Sequence, residues 1–346
     1  MNLHLISIFS FGILTFLVAF LATPFYIKML KDAKLGKQIR ENALTGKATE
    51  FFKLHKNKAG TPTMGAGVLL GAVFFMVILS MILQGFGIIN NSLFSRNETY
   101  LTLFTLGTIG LLGAIDDFMN IKGIGRTKGL SGKFKMIWLT LFATMGAFWF
   151  YYKLGWNIDH MLNTPFLALD IGLSFIPLFI LIIVGFSNSV NITDGLDGLA
   201  GGLLLFAYAV YGYITFDQEM FLLSTLCFSI VGALIAFLWF NVKPAKFYMG
   251  DMGSLALGAN LGIIAMLTNT IFVLFIVGAI FIFETLSVII QLTSKKLRKG
   301  KKVFKIAPFH HHLEAIGWKE ETIVFRLWLL GLIFSISGVM FYLLQK

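Results

Sequence analysis

The chain has 346 residues, of which 57% are hydrophobic and 13% are charged. Soluble domains carry about 25% charged residues, so this composition and a mean hydropathy of +0.82 exclude an ordinary soluble protein. The net charge is +11, but no known nucleic-acid-binding module accompanies it, so no nucleic acid partner is expected.

Ten apolar segments are long enough to cross a bilayer, which takes about 20 helical residues each. In lipid every backbone group must bond within its own segment, so the sequence predicts an all-α polytopic membrane protein. No linker interrupts the pattern, and residues 1–346 are interpreted as one domain. The predicted spans are 4–27, 64–84, 99–115, 134–152, 171–190, 198–216, 220–240, 252–268, 270–292 and 323–344.

Lys and Arg concentrate in four loops between these segments, which hold 24 of the 28 basic residues. The positive-inside rule therefore places these loops in the cytoplasm, and ten spans then place both termini outside it. Contact with anionic lipid accounts for much of the charge, although the same loops would attract an anionic cytoplasmic substrate. The loops are 28–60, 116–135, 243–246 and 295–322.

Five aspartates lie at span ends on the predicted cytoplasmic side. Clustered carboxylates repel one another unless a cation or a proton lies among them. All-oxygen ligands suit Mg²⁺, which binds through one or two carboxylates plus substrate phosphates. The sequence therefore predicts a magnesium site at a membrane surface. The five residues are Asp116, Asp117, Asp194, Asp197 and Asp251.

The adjacent pair Asp116 and Asp117 is the most informative, because the helix macrodipole disfavours negative charge at a helix C-terminus. A compensating cation is therefore expected there. Asp251 begins a span, where a helix N-cap explains an aspartate equally well. Glu284 lies inside a span and fits a lipid-phosphate path, but a hydrogen-bonded contact between helices is the favoured interpretation.

Two turns near these acids carry lysines. In "HKNKAGTPTMGAG", 55–67, Lys58 and the hydroxyl of Thr63 are suited to phosphate, although a turn that merely begins a span is the alternative. In "KGLSGKFK", 128–135, Lys133 is a candidate to enter the acidic pocket or to pair with phosphate, and a solvated loop is the alternative.

The block "APFHHHLEAIGW", 307–318, carries three consecutive histidines. Neighbours on a helix point about 100° apart, so the three cannot share one zinc ion, and no cysteine is nearby. Contact with phosphate, or support of the shape of the loop, is the expected role of His310, His311 and His312.

Five blocks occur in an order that resembles one family. They are "GTPTMG", "GAIDDF", "NITDGLDGLAGG", "KPAKFYMGDMGSLALG" and "APFHHHLEAIGW". The order is similar to that of the phospho-N-acetylmuramoyl-pentapeptide transferases, the MraY branch of the polyprenyl-phosphate N-acetylhexosamine-1-phosphate transferases. The match runs from about Lys58 to Arg326. The histidine block argues against the sister enzymes that use UDP-N-acetylglucosamine, which are the alternative.

The resemblance implies a reaction and a place. Phospho-MurNAc-pentapeptide passes from a UDP-linked donor to undecaprenyl phosphate, which gives lipid I and UMP in peptidoglycan synthesis and requires Mg²⁺. It also implies the inner membrane of a bacterium, a site that faces the cytoplasm, and a homodimer. Direct attack is preferred to a covalent aspartyl intermediate. A membrane carrier is the alternative from another class, but its acids would lie near the bilayer midplane.

The resemblance also implies roles for single residues. Asp251 resembles a Mg²⁺ ligand, Asp116 and Asp117 resemble the catalytic pair that also lies near the metal, and His310 is expected among the catalytic residues. Tyr248 stands where the family usually has a uracil-stacking Phe, and the segment 292–302 departs from the family pattern. The expected substrate-binding residues are Lys58, Thr63, Lys133, Asn191, Asp194, Asp197, Tyr248, Gln291, His311 and His312.

Overall fold

A computed structural model describes residues 2–36, 42–43, 46–47, 58–125, 129–153, 162–164, 167–169 and 171–345. Much of the predicted basic loop 28–60 lies outside the described residues. The helices are α1 (Asn2–Asp32), α2 (Ala66–Gly85), α3 (Asn97–Lys122), α4 (Gly132–Phe148), α5 (Phe175–Thr193), α6 (Leu199–Asp217), α7 (Phe221–Asn241), α8 (Asp251–Leu267), α9 (Ile271–Val277), α10 (Ala279–Leu297), α11 (Phe309–Ala315) and α12 (Glu320–Leu344). The strands form two short antiparallel pairs, β1 (Asn42–Ala43) with β2 (Gly46–Lys47) and β3 (Leu162–Thr164) with β4 (Leu167–Leu169).

The polytopic all-α prediction is confirmed. Among the described residues, eight helices are long and apolar enough to cross a membrane, or nine if α9 and α10 form one span with a 75° bend. The predicted segment 252–268 forms α8, whose 17 residues rise about 26 Å and so fall short of a ~30 Å hydrocarbon core. The ten predicted segments are thus all helical, but fewer than ten meet the length of a full span.

Helix α8 lies at the centre of the bundle, and fifteen of its seventeen residues are buried. Small residues allow its neighbours to approach closely. A Cβ added to Gly113 of α3 would lie 2.3 Å from the carbonyl oxygen of Asp251, and one added to Gly258 would lie 2.5 Å from that of Phe186 in α5. Only glycine permits these two crossings, and the first of them places the start of α8 beside the end of α3.

The alternating directions of the helices bring the polar residues to one end of the bundle. The two chain termini lie at the other end. There the ring of His4 stacks on that of Phe221 with centroids 4.0 Å apart, and the Tyr342 hydroxyl donates to Asp217 Oδ2 at 2.6 Å. Both termini therefore share one side of the bundle, and the assignment of that side to the outside of the cell stays a prediction.

Candidate active site

Carboxylates from two helices meet at the polar end of the bundle. Asp116 and Asp117 near the end of α3 are 4% and 7% exposed, and Asp251 is the first residue of α8. The Lys135 ammonium lies 2.9 Å from Asp116 Oδ2 and 2.9 Å from Asp251 Oδ2. Asp116 Oδ1 accepts the backbone N–H of Leu130. The term aspartate cluster refers below to Asp116, Asp117, Lys135, Asn191 and Asp251.

Each carboxylate in the cluster is held by fixed donors. The Asn191 amide donates to Asp251 Oδ1 at 2.8 Å and lies 2.8 Å from Ser254 Oγ, which ties α5 to α8. The backbone N–H of Met252 donates to Asp117 Oδ2 at 3.1 Å. That donor belongs to the first turn of α8, where the helix macrodipole favours a negative charge. Asp117 thus caps a helix other than its own, which compensates for its position at the end of α3.

The donor set fits magnesium, although no metal cage is preformed. Among the described residues, no group of three or more His, Cys, Asp or Glu side chains is arranged to hold a metal ion. Mg²⁺ needs only one or two carboxylates, with water and substrate phosphates completing its shell. Asp116 and Asp251 provide two, and the position of Lys135 between them demonstrates that a cation fits there.

A second group of charges lies at the same end of the bundle. The Lys58 ammonium is 2.6 Å from Asp197 Oδ1 and also pairs with Glu320, the first residue of α12. Lys243 lies 3.1 Å from the other oxygen of Glu320. The backbone N–H of Asp197 donates to Glu320 Oε1 at 2.9 Å. The term lysine cluster refers below to Lys58, Asp197, Lys243 and Glu320.

Lys58 keeps its positive charge at physiological pH. Burial by itself lowers the pKa of Lys58, but the carboxylates of Glu320 and Asp197 outweigh it and raise the pKa above its ordinary value. Burial, followed by the charge of Asp197, raises the pKa of Tyr248. The Tyr248 hydroxyl therefore stays protonated near neutral pH and is able to donate a hydrogen bond.

Backbone pairing joins the two clusters. The N–H of Tyr248 donates to the carbonyl of Pro62 at 2.8 Å, and the N–H of Gly65 donates to that of Tyr248 at 2.7 Å. Gly250 follows with a φ of 78°, a conformation that favours glycine. A Cβ there would lie 2.3 Å from Asp117 Oδ2 and 2.9 Å from Thr63 Oγ1, so Thr63 and Asp117 flank this glycine.

His310 and His311 of α11 lie against the turn between α5 and α6. His310 is fully buried, and its Nδ1 lies 3.1 Å from Glu284 Oε2, which also accepts the His310 backbone N–H at 3.2 Å. A Cβ added to Gly195 would lie 2.3 Å from His310 Nε2 and 3.2 Å from His311 Nε2. The two imidazole edges thus face the turn that carries Asp194 and Asp197.

Comparison with known proteins identifies the family. A family model described as glycosyl transferase family 4 matches residues 99–269. The chain is 38% identical to the phospho-N-acetylmuramoyl-pentapeptide-transferase of Geobacillus sp. (strain WCH70) over 94% of this chain and 95% of the relative. It is 38% identical to the proteins of that name from Anoxybacillus flavithermus over 96% of this chain and 97% of the relative, and from Listeria monocytogenes serotype 4b (strain CLIP80459) over 94% and 96%. The chain belongs to the phospho-N-acetylmuramoyl-pentapeptide-transferase family.

Most residues expected from the family resemblance lie together. One region is surrounded by the aspartate cluster together with Lys58, Thr63, Asp197 and Tyr248. His310 and His311 border this region. The substrate contacts expected of each stay predictions. Asp194 caps the end of α5, where its N–H donates to the carbonyl of Val190 at 3.1 Å.

Three expected residues occupy other positions. Lys133 is exposed, and Lys135 lies among the aspartates instead. Gln291 uses its side-chain amide on the backbone of Val303 and Phe304, at distances from 2.7 to 3.0 Å. His312 Nδ1 accepts the backbone N–H of Lys305 at 3.2 Å. Gln291 and His312 therefore hold the loop between α10 and α11 by hydrogen bonds. Their expected contacts with substrate stay predictions.

Sequence reasoning missed Lys135 and Glu320 and did not find the partner of Glu284. Glu284 contacts His310 of α11, so the favoured interpretation, a hydrogen-bonded contact between helices, agrees with the geometry. Glu320 follows Lys319 at a helix start, where an acidic residue is ordinary, so it carried no signal by itself. The burial of Glu320 becomes visible only in the structure.

Proposed function

We propose that the chain transfers phospho-MurNAc-pentapeptide from UDP-MurNAc-pentapeptide to undecaprenyl phosphate, which releases UMP and forms lipid I. The site then faces the cytoplasm from the inner membrane of a bacterium. The observation that carries the proposal is the convergence of the aspartate and lysine clusters at one end of the helix bundle. Membership of a family named for this transferase supports the choice of substrate.

The donor is expected to lie on the lysine cluster. Two carboxylates hold the Lys58 ammonium in place, so it is oriented before the donor binds. The ring of Tyr248 provides a surface on which uracil can stack, as a Phe would. Asn191, Asp194 and Asp197 are expected to contact the nucleotide sugar, and His311 and His312 to contact phosphate or to shape the loop around it.

The acceptor phosphate is attached to a lipid, so its head lies at the membrane surface, at the end of α3. One of its oxygens attacks the phosphorus bonded to the sugar, the bond from that phosphorus to the UMP oxygen breaks, and UMP leaves with the electron pair. Asp116 or Asp117 accepts the proton of the lipid phosphate. Mg²⁺ held by Asp251 together with Asp116 and Asp117 would neutralise the pyrophosphate charge. Positioning and charge stabilisation supply most of such catalysis.

A transfer assay on the detergent-purified chain tests the proposal. Undecaprenyl phosphate and Mg²⁺ are supplied with either UDP-MurNAc-pentapeptide or UDP-N-acetylglucosamine, and UMP release is followed. The expected result is UMP with the pentapeptide donor alone, abolished by EDTA. UMP release with the acetylglucosamine donor alone would overturn the proposed choice of donor. No UMP release with either donor, in a folded sample, would overturn the proposed reaction.

Substitution tests whether the two aspartates are catalytic. Asp116→Asn and Asp117→Asn are each expected to lose most turnover, because each removes a charge that faces the reacting phosphates. Near-full turnover by both variants would show that the pair is not catalytic. If a radiolabelled phosphoryl group stayed on the denatured protein, the reaction would proceed through a covalent aspartyl intermediate and not by direct attack.

A further inference from the structure

Lys135 occupies the position that a divalent cation would take between two predicted metal ligands. Its ammonium is 2.9 Å from one oxygen of Asp116 and 2.9 Å from one oxygen of Asp251. The side chain is 25% exposed, so it has access to water, whereas Asp116 is almost fully buried. A lysine presents a compact charge on a flexible four-carbon stem, which suits a group that changes partners.

Asp116 Oδ2 and Asp251 Oδ2 cannot bind the Lys135 ammonium and a Mg²⁺ ion at the same time. A Mg²⁺ ion sits about 2.1 Å from each ligand oxygen and demands near-octahedral geometry, which leaves no room for an ammonium that bridges the same pair. The two cations also repel each other strongly at such distances in a partly buried site. Metal binding and the bridging position of Lys135 are therefore mutually exclusive.

We propose that Lys135 is an exchangeable counter-cation of the aspartate cluster, an inference that rests on the proposed function. Without metal, Lys135 holds Asp116 and Asp251 together and prevents their repulsion. When the divalent cation binds, Lys135 gives up at least one carboxylate, and its ammonium becomes available to the phosphates that arrive with the metal. The Asn191 amide donates to Asp251 Oδ1 and the backbone N–H of Leu130 donates to Asp116 Oδ1, so both aspartates keep their orientation during the exchange.

The exchange makes a direct prediction about metal affinity in the absence of substrate. We expect Lys135→Met to bind Mn²⁺, used as the probe for Mg²⁺, roughly tenfold more tightly than the wild type, because the resident competitor is gone. In EDTA the variant should melt several degrees lower, because its carboxylates are unpaired, and saturating Mg²⁺ should restore most of the loss. Electron paramagnetic resonance titration and thermal melting of the detergent-purified full chain measure both quantities.

Two variants provide controls. Lys122→Met removes an exposed lysine near the end of α3, which is outside the cluster, so Mn²⁺ affinity and the melting temperature in EDTA should stay at wild-type values. Lys135→Arg keeps the charge and should keep the weaker Mn²⁺ binding of the wild type. Equal Mn²⁺ affinity in Lys135→Met and wild type, or weaker binding in Lys135→Met, would overturn the proposal.

A measurement on the unmodified chain covers the case in which Lys135→Met fails to fold. Lys135 bonded to two carboxylates should react slowly with an amine-acylating reagent, and Mg²⁺ should raise its rate of modification relative to Lys122, as read by peptide mass spectrometry. An unchanged or lower rate would overturn the exchange. Absence of Mn²⁺ binding in the wild type and in all variants would overturn both this proposal and the metal part of the proposed function, whereas UMP release in the transfer assay tests the transfer reaction separately.

Discussion

At the residue scale, two buried carboxylates act on neighbours that are expected to meet the substrate. Glu320 is 6% exposed and receives Lys58, Lys243 and the backbone N–H of Asp197. Glu284 is fully buried and fixes His310 through both the ring and the backbone. Glu320 and Glu284 are expected to favour substrate binding without contacting the substrate, because a side chain that is already held by a partner loses little conformational freedom when a ligand binds.

We expect Glu320→Gln to raise the KM for the nucleotide donor roughly tenfold with a smaller effect on kcat, because Lys58 keeps only Asp197 as a charged partner. Steady-state kinetics with varied donor measure this. Glu321→Gln is the matched control, since Glu321 also pairs with Lys243 but its side chain is 58% exposed. Equal KM values in the two variants would show that Glu320 does not position Lys58.

Glu284 is expected to fix the ring of His310 with Nδ1 as the donor, which leaves Nε2 as an acceptor toward the turn at Gly195. Glu284→Gln should lower kcat by roughly ten- to a hundredfold, the range found when a group that orients a metal-bound histidine is lost. The control is Thr285→Val, which removes a different bond between α10 and α5, the 2.9 Å contact with Ser189. Similar losses of kcat in Glu284→Gln and Thr285→Val would show that Glu284 only supports helix packing.

At the scale of elements, close helix crossings set the distances in the site. Gly113 lies one turn before Asp116 and packs on the backbone of Asp251, so α3 and α8 approach each other only because no side chain intervenes. The aspartate cluster is a consequence of that approach, since its members come from both helices.

Gly113→Ala should therefore separate the two helices and move Asp251 away from Asp116. We expect a lower melting temperature and the loss of most turnover, because a Cβ 2.3 Å from a carbonyl oxygen forces the backbone to shift. Gly107→Ala on the same helix is the control, since its Cβ would meet only Phe74 at an ordinary 3.6 Å. Alanine favours helix by about 1 kcal/mol over glycine, so Gly107→Ala should be neutral or stabilising. Equal melting temperatures in the two variants would contradict the role of the crossing.

At the scale of the whole molecule, the polar end and the termini lie on opposite sides of the bundle. The positive-inside rule predicts that the polar end faces the cytoplasm. Cysteine scanning is practicable because Cys227 is the only cysteine in the sequence and is buried.

In a Cys227→Ser background, Asn91→Cys should react with a membrane-impermeant maleimide added to intact bacterial cells, whereas Lys302→Cys should react only after the cells are opened. Both positions are exposed, and Lys302 belongs to the basic loop at the polar end. The reverse pattern of labelling would place the site outside the cytoplasm and contradict the predicted orientation.

The predictions from sequence were accurate where the signal is local. Hydropathy located ten helical segments, because burial in lipid acts on each stretch of chain by itself. The alternation of spans then brought Asp116, Asp117, Asp194, Asp197 and Asp251 to one end, as the structure has them. Span length was less predictable, since α8 is surrounded by protein and need not match the thickness of a bilayer.

The sequence by itself determined the class of the protein, the end of the bundle that carries the site, and the motifs that place it in its family. Only the tertiary structure decided which charges meet. Lys133 and Lys135 differ by about 200° around a helix, so the register of α4, which begins after the Ser131 cap, selects Lys135. Lys58 reaches Glu320 across 262 positions of the chain. Such pairs depend on packing between distant segments, and no local pattern of residues encodes that packing.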